Sequence, residues 1–413
     1  MSAQSPAETA LQAHLRARRA ARGTRDLRPL TLLPCLPPSA LWQRPEGGTR
    51  EITLWCSDDY LGLSRHPELA RAVSAAIDSH GTAAARFGDG AAVHPAQIAL
   101  QTQLADWHGK AAAQVYASGA AAALAALSVL GRILPQCIVL ADAGCDLALV
   151  EGIKRSGATL HIFRHNDPAH LDDLLFRLPR KAMPLIVFES LYPADGSVAP
   201  IRDICDLAQK YGAFTYLSET HSAGLYGPEG AGLAARDGQA ARIDMIQGTL
   251  AQALGLSGGY LAGSVAALAV IRDEATPLEG QPLLPAYLAG AAQQGLALLR
   301  QADSLRAALF QRVRETRQEL EDLALPLADS DTQILTLRVN DPEHVRLAAD
   351  LLLNIYGISV ATVVHPTVPL GQERLRIVPT PQHGAAHIQA LGQALEEIGL
   401  EMSWRPGQRR GVS

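Results

Sequence analysis

Apolar residues recur along this chain with two periods, and their alternation sets the expected architecture. Residues 67–79 put Leu69, Val73, Ala76 and Ile77 on one helical face, and Pro67 sits in the first turn, where its missing N–H costs nothing. A second helix is expected near 96–108, with Ile98, Leu104 and Trp107 turned inward. From residue 113 onward, strand-like runs alternate with helical spacing: Ala113–Tyr116, Cys137–Ala141, Thr159–Phe163, Leu185–Glu189, Phe214–Leu217 and Met245–Gly248. Helical connections between such runs predict a mostly parallel sheet covered on both faces. Ligands of such sheets bind beyond the carboxyl ends of the strands.

The two ends of the chain read differently. Residues 8–22 have helical spacing with weak apolar points at Leu11 and Leu15, an exposed lead-in helix. Residues 26–50, with Pro37-Pro38 and Gly47-Gly48, read as an irregular arm. Ile52–Cys56 alternates like a strand, and Ser57–Leu63 turns into the following helix. A long helical stretch over roughly 283–322 leads to a new pattern: a strand over Gln333–Val339, a helix near 343–356, strands over Ile358–Val363 and Leu375–Val378, and a helix near 384–398. The expected division is a helix and arm over 1–50, a large domain over 51–285, a linking helix and small α+β domain over 286–400, and a tail over 401–413.

Composition narrows the function classes. The 413 residues are 48% hydrophobic, enough for a large core, and a net charge of −5 makes no electrostatic case for nucleic acid. No apolar run reaches the roughly 18 residues of a membrane span. The arginine-rich N-terminus lacks the apolar segment of a secretion signal, so a cytoplasmic protein is expected. Five scattered cysteines without a CxxC read as reduced thiols. Lysine occurs only at Lys110, Lys154, Lys181 and Lys210, so beyond residue 210 no primary amine remains to form a Schiff base.

Three strand ends carry chemistry. Tyr116-Ala117-Ser118-Gly119-Ala120 runs into an alanine-rich helix whose free N–H groups can hold a phosphate, although an ordinary tight turn has the same residues. His221, one turn past Leu217, can bond a cofactor oxygen or be merely structural, and Glu189-Ser190 closes a similar strand. Arg376 offers a planar fork to a carboxylate, or simply a surface ion pair. No HExxH, Walker or Ser-His-Asp order competes with these positions.

Several ordered strings together resemble the α-oxoamine synthases, fold-type I pyridoxal-phosphate (PLP) enzymes, and among them most of all the 5-aminolevulinate synthases. They are Trp55–Gly62, Leu104–Lys110, Arg164–Pro168, Phe188–Ile201, Ala223–Gly227, Gly248-Thr249-Leu250, His365–Pro369 and Arg374–Pro381. The resemblance implies a large domain with a mostly parallel seven-stranded sheet plus a small α+β domain. It implies the joining of glycine and succinyl-CoA for tetrapyrrole synthesis, and a dimer with active sites at its interface. It assigns His221 to the cofactor's phenolic oxygen, Ser118, Gly119, Ala120 and Thr249 to the phosphate, and Ser190 and Glu189 to the ring's surroundings. Arg376 would hold the glycine carboxylate, and Thr367 would lie near the acyl substrate.

Against the same pattern, Gln252 stands where the Schiff-base lysine belongs, Ser218 where an aspartate meets the pyridinium nitrogen, and Asp146 where a histidine stacks on the ring. Arg86-Phe87-Gly88-Asp89 replaces a substrate loop. An amide is neither nucleophile nor base, and a lost general base alone costs about 10²–10⁴-fold in rate. The expectation is a non-catalytic or regulatory subunit, without covalent PLP and with cofactor binding weak or lost. It would form a homodimer, or a heterodimer with an active α-oxoamine synthase, and would have at most residual affinity for a CoA thioester or glycine-like amino acid. An acyltransferase using non-covalent PLP, or completed across a heterodimer interface, and a ligand-free structural dimer are the alternatives.

Overall fold

The computed structural model describes residues 5–22, 31–33, 37–44, 47–82, 93–275 and 284–402. A lead-in helix α1 (Pro6–Arg22) is followed by strands β1 (Thr31–Leu33), β2 (Ser39–Gln43) and β3 (Thr49–Leu54), then helices α2 (Pro67–His80) and α3 (Pro95–Trp107). The alternating part follows: β4 (Ala112–Tyr116), α4 (Gly119–Ile133), β5 (Cys137–Asp142), α5 (Leu147–Ser156), β6 (Thr159–Phe163), α6 (Pro168–Phe176), β7 (Met183–Glu189), α7 (Ile201–Tyr211) and β8 (Phe214–Ser218). After the short α8 (Leu233–Arg236) come β9 (Met245–Thr249), the one-turn α9 (Ala251–Leu254), β10 (Gly259–Gly263) and α10 (Val265–Glu274).

The seven strands β4 to β10 form one sheet in the order β4-β10-β9-β8-β7-β5-β6, in which only β10 runs antiparallel to its neighbours. This is the mostly parallel seven-stranded sheet that the resemblance implies. Its strands are largely buried, as the apolar runs required, except the edge strand β6, where Ile162 is 58% exposed. β10 escaped the sequence reading because Gly259 and its neighbours look like loop residues. The glycine is required by close approach: a Cβ there would lie 2.4 Å from the Gly119 nitrogen and the Ser118 carbonyl. α4 packs on α5 through small residues, and Gly152 leaves the Ala123 carbonyl just enough room.

Three expectations are corrected. Ile98 is 54% exposed. The buried line of α3 runs through Gln97, Leu100, Leu104 and Trp107, a 3.6-residue repeat that puts Ile98 off the face. Fully burying Leu100 or Leu104 contributes about 1.5–3 kcal/mol each. The arm is not irregular where it is described, because β1, β2 and β3 pair into a sheet whose fourth strand is β12 (Ile358–Ser359), parallel to β3. β3 therefore straddles the boundary expected at residue 51. The long helix is two helices, α11 (Ala286–Arg300) and α12 (Asp303–Asp322). No proline or glycine marks the break; buried Arg306 caps it by donating to the carbonyls of Leu299 (2.7 Å) and Arg300 (3.3 Å).

The remaining elements are β11 (Leu335–Arg338), α13 (Pro342–Leu351), β13 (Ala361–Val363), β14 (Arg374–Ile377) and α14 (Ala385–Glu401), with β14 central in a three-stranded antiparallel sheet. Trp55 ties this part to the large sheet's side. Its N–H reaches the Ser359 carbonyl at 2.8 Å, and its own carbonyl accepts from Val378 at 2.7 Å. Those two bonds carry the segment 56–62 up to Arg376.

Candidate functional site

Register alone lines up the site. Glu189 of β7 is paired with Ser218 of β8, Ser218 with Gln247 of β9, Thr249 of β9 with Gly259 of β10, and Gly259 with Tyr116 of β4. The strand ends that the sequence singled out thus form one row along the carboxyl edge of the sheet.

At one end of the row Ser118 caps α4, accepting the Ala121 N–H at 3.1 Å, while Gly119 and Ala120 open the helix. Thr249 lies beside them, its hydroxyl donating to the Gly258 carbonyl and accepting from the Ala251 N–H, each at 3.1 Å. A Cβ on Gly119 would press on Gln247 at 3.2 Å. This end is a helix N-terminus with exposed serine and small residues around it, and it fits a phosphate.

Gln252 lies on α9, a single turn closed by Gly255 in the left-handed region. Its backbone carbonyl accepts the Tyr60 N–H at 3.1 Å, while its side-chain oxygen is buried without a hydrogen-bond partner. That oxygen accepts; it cannot attack a carbonyl carbon or take up a proton near neutral pH. None of the four lysines substitutes for it. Lys110 donates to the carbonyls of Ala240 and Ile243, Lys154 pairs with Glu151, Lys210 with Asp172, and Lys181 is on the surface.

Tyr60 and Asp58 are the functional residues that sequence reasoning missed, although both lie within the string Trp55–Gly62. Arg376 Nη2 donates to Asp58 Oδ1 (3.0 Å) and to the Tyr60 oxygen (3.2 Å). The Tyr60 hydroxyl lies 2.7 Å from His221 Nδ1. With Arg376 donating to its oxygen, the Tyr60 proton points to Nδ1, which leaves the imidazole hydrogen on Nε2. Burial, and then the charge of Arg376, lower His221 to about 4, so its ring is neutral at physiological pH. Burial works against the charge of Arg376, but Tyr60 and Asp58 outweigh it and raise its pKa. Gln333, a further residue missed from sequence, holds the His221 carbonyl at 2.8 Å.

The middle of the row is neutral. Ser218, 3% exposed, donates to Thr220 Oγ1 at 3.0 Å, and Gln247 donates to the same oxygen at 3.2 Å. Ser190 shares a 2.6 Å hydrogen bond with Ser222. Glu189 accepts the Asp146 N–H at 2.7 Å, and burial, followed by the nearby Asp146 carboxylate, raises it well above the ordinary range. Asp146 itself is exposed and caps α5 through the Ala148 N–H at 2.7 Å, so it presents no aromatic face. Glu219, fully buried, accepts from the backbone of Leu233 (3.0 Å) and Ala234 (2.8 Å) and from Ser222, fixing the turn that bears His221. Burial raises its pKa, and these hydrogen bonds oppose the rise.

Thr367 is exposed, its N–H closing a turn on Val364, while Arg86, Phe87, Gly88 and Asp89 lie outside the described residues. Against the PLP that the resemblance implies, the helix N-terminus at Ser118 and Gly119 offers small groups that would suit a phosphate, whereas Gln252 carries no amine, Ser218 no charge and Asp146 no aromatic plane.

A family model for aminotransferases of class I and II matches residues 50–395. The chain is 38% identical over 372 residues to 5-aminolevulinate synthase 2 of Cereibacter sphaeroides, covering 90% of this chain and 91% of that protein. It is 41% identical over 376 residues to the erythroid-specific mitochondrial 5-aminolevulinate synthase of Gallus gallus, covering 88% of this chain and 73% of that one. In fold it is similar to the serine palmitoyltransferase of Sphingomonas wittichii, with a TM-score of 0.87 at 24% identity, covering 98% of this chain and all of that one.

Proposed function

The chain belongs to the class I and II aminotransferase family, among the 5-aminolevulinate synthases and their α-oxoamine synthase relatives, and from that premise we propose that it is a cytoplasmic subunit without autonomous catalysis, acting as a partner or regulator of an active synthase. The observation that carries this reading is Gln252, a neutral amide on the turn where the family holds its lysine, in a chain whose four lysines are all engaged or exposed elsewhere. Ser218 and Asp146 support it. Removing the amine, the ring-nitrogen charge and the stacking face together removes nucleophile, base and electron sink from one cofactor.

PLP is the cofactor the family implies; here it would bind weakly and without a covalent bond. The assembly would be a dimer, either of two copies or with a catalytic synthase, and a CoA thioester and a glycine-like amino acid are the ligands the family implies. No helix among the described residues is long and apolar enough to cross a membrane.

The test is co-expression with an active synthase, followed by pull-down and an aminolevulinate assay of the wild type, of Gln252→Lys alone, and of Gln252→Lys with Ser218→Asp and Asp146→His. The proposal expects a recovered complex, no turnover by this chain alone, and little restored by the single lysine. Full activity from Gln252→Lys by itself would remove the weight placed on Ser218 and Asp146. The phosphate-fitting end at Ser118, Gly119 and Thr249 favours one second reading, an enzyme using non-covalent PLP. Turnover by the purified wild-type chain in added PLP would establish that reading; visible cofactor absorption bleached by borohydride would establish a covalent attachment and sink the first.

A further inference from the structure

Arg376 joins the site through the Tyr60 hydroxyl that meets His221, and another part of the chain already engages it. Its side chain is 12% exposed, and a guanidinium so desolvated needs a counter-charge. Asp58 supplies one at 3.0 Å, with the Tyr60 hydroxyl on the same nitrogen at 3.2 Å. The Arg376 Nε is buried without a partner.

Asp58 is held in place by its backbone. The segment that carries it is fastened at Trp55 to Ser359 and Val378, and at Tyr60 to the Gln252 carbonyl. Its side chain is 48% exposed while that of Arg376 is 12% exposed, so the carboxylate on the guanidinium remains open to solvent.

We propose that Asp58 is a specificity-determining residue: it occupies the Arg376 fork in the manner of a substrate carboxylate and so excludes α-amino acids from the site. The inference rests on the reading of Arg376 as the carboxylate-binding residue. Two effects enforce it. A tethered carboxylate competes at an effective concentration that free amino acid does not match. A second carboxylate would also have to share one guanidinium with Asp58, and no lysine at position 252 offsets the added negative charge.

The experiment is a calorimetric and NMR titration of the full-length chain with glycine, with acetate, and with acetamide as an uncharged control. The proteins are the wild type, Asp58→Asn, and Asp58→Asn combined with Arg376→Met, each first shown to be folded by circular dichroism. The amide of Asp58→Asn keeps the shape and the hydrogen bond and removes the charge. The expected result is glycine and acetate binding roughly tenfold tighter or more in Asp58→Asn than in the wild type. That gain should vanish in the double variant, and acetamide should show no difference. Equal carboxylate binding in the wild type and Asp58→Asn would overturn the exclusion while leaving Arg376 as the carboxylate site. A gain that persists without Arg376 would overturn it by placing the carboxylate elsewhere. No carboxylate binding in any variant would overturn both the exclusion and the reading of Arg376 on which it rests.

Discussion

Glu219 is where the turn bearing His221 can be tested most directly. Its carboxylate is fully buried, and each oxygen accepts a different backbone N–H, Oε2 from Leu233 and Oε1 from Ala234, with Ser222 adding a third bond. Glu219→Ala strands two buried N–H groups at about 1–3 kcal/mol each and opens a small cavity, offset in part because a desolvated charge is removed. The expected net loss is about 3–5 kcal/mol, a large share of the roughly 5–15 kcal/mol by which folded domains are stable. Glu219→Gln is the sharper probe. Because both oxygens face donors, the amide nitrogen must meet an N–H, so one bond is lost and a repulsion gained, about 1–3 kcal/mol. Calorimetric melting should therefore rank wild type above Gln above Ala, and amide exchange should accelerate at Leu233 and Ala234 ahead of the sheet. Gln at wild-type stability with unchanged exchange at both amides would refute the assignment of the two oxygens.

Other measurements probe the charge state and the packing of the site. Burial lowers His221 and His383 to about 4 and His108 to about 3, from an ordinary value of 6.5, so the native state binds fewer protons than the unfolded chain. Stability from these rings is present above pH 6.5 and should fall as pH drops from 6.5 towards 4. His165 is the opposite case: burial opposes its charge, but the carboxylates of Asp142 and Asp195 outweigh it and raise it to about 9. Its contribution is full below pH 6.5 and lost as pH rises through 9, so His165→Gln should flatten the alkaline limb of a melting-temperature profile; an unchanged limb counts against the Asp142 pairing. Gly259→Ala drives a Cβ to within 2.4 Å of the Gly119 nitrogen, which should cost about 1–3 kcal/mol in calorimetric melting; a variant that melts like wild type would refute that crowding.

What the sequence determined by itself was whatever depends on residue type and local period. The strands from Ala112 to Thr249 fall within two residues of their expected positions, because a buried strand is a continuous apolar run whatever surrounds it. That Gln252 carries no primary amine was equally legible, since the capacity to form a covalent bond belongs to the side chain. Features with no local signature were missed. β10 begins and ends on glycines that read as loop, the arm strands are hidden by prolines and glycines, and the break before α12 is made by Arg306, a residue with no breaking propensity of its own. Only the tertiary structure decided the content of the site. Arg376 and Asp58 are 318 residues apart, and Gln333 meets the His221 carbonyl across 112. Such pairings depend on how two sheets and the segment 55–60 dock, which no short-range pattern encodes; a buried guanidinium takes the nearest carboxylate the fold delivers to it.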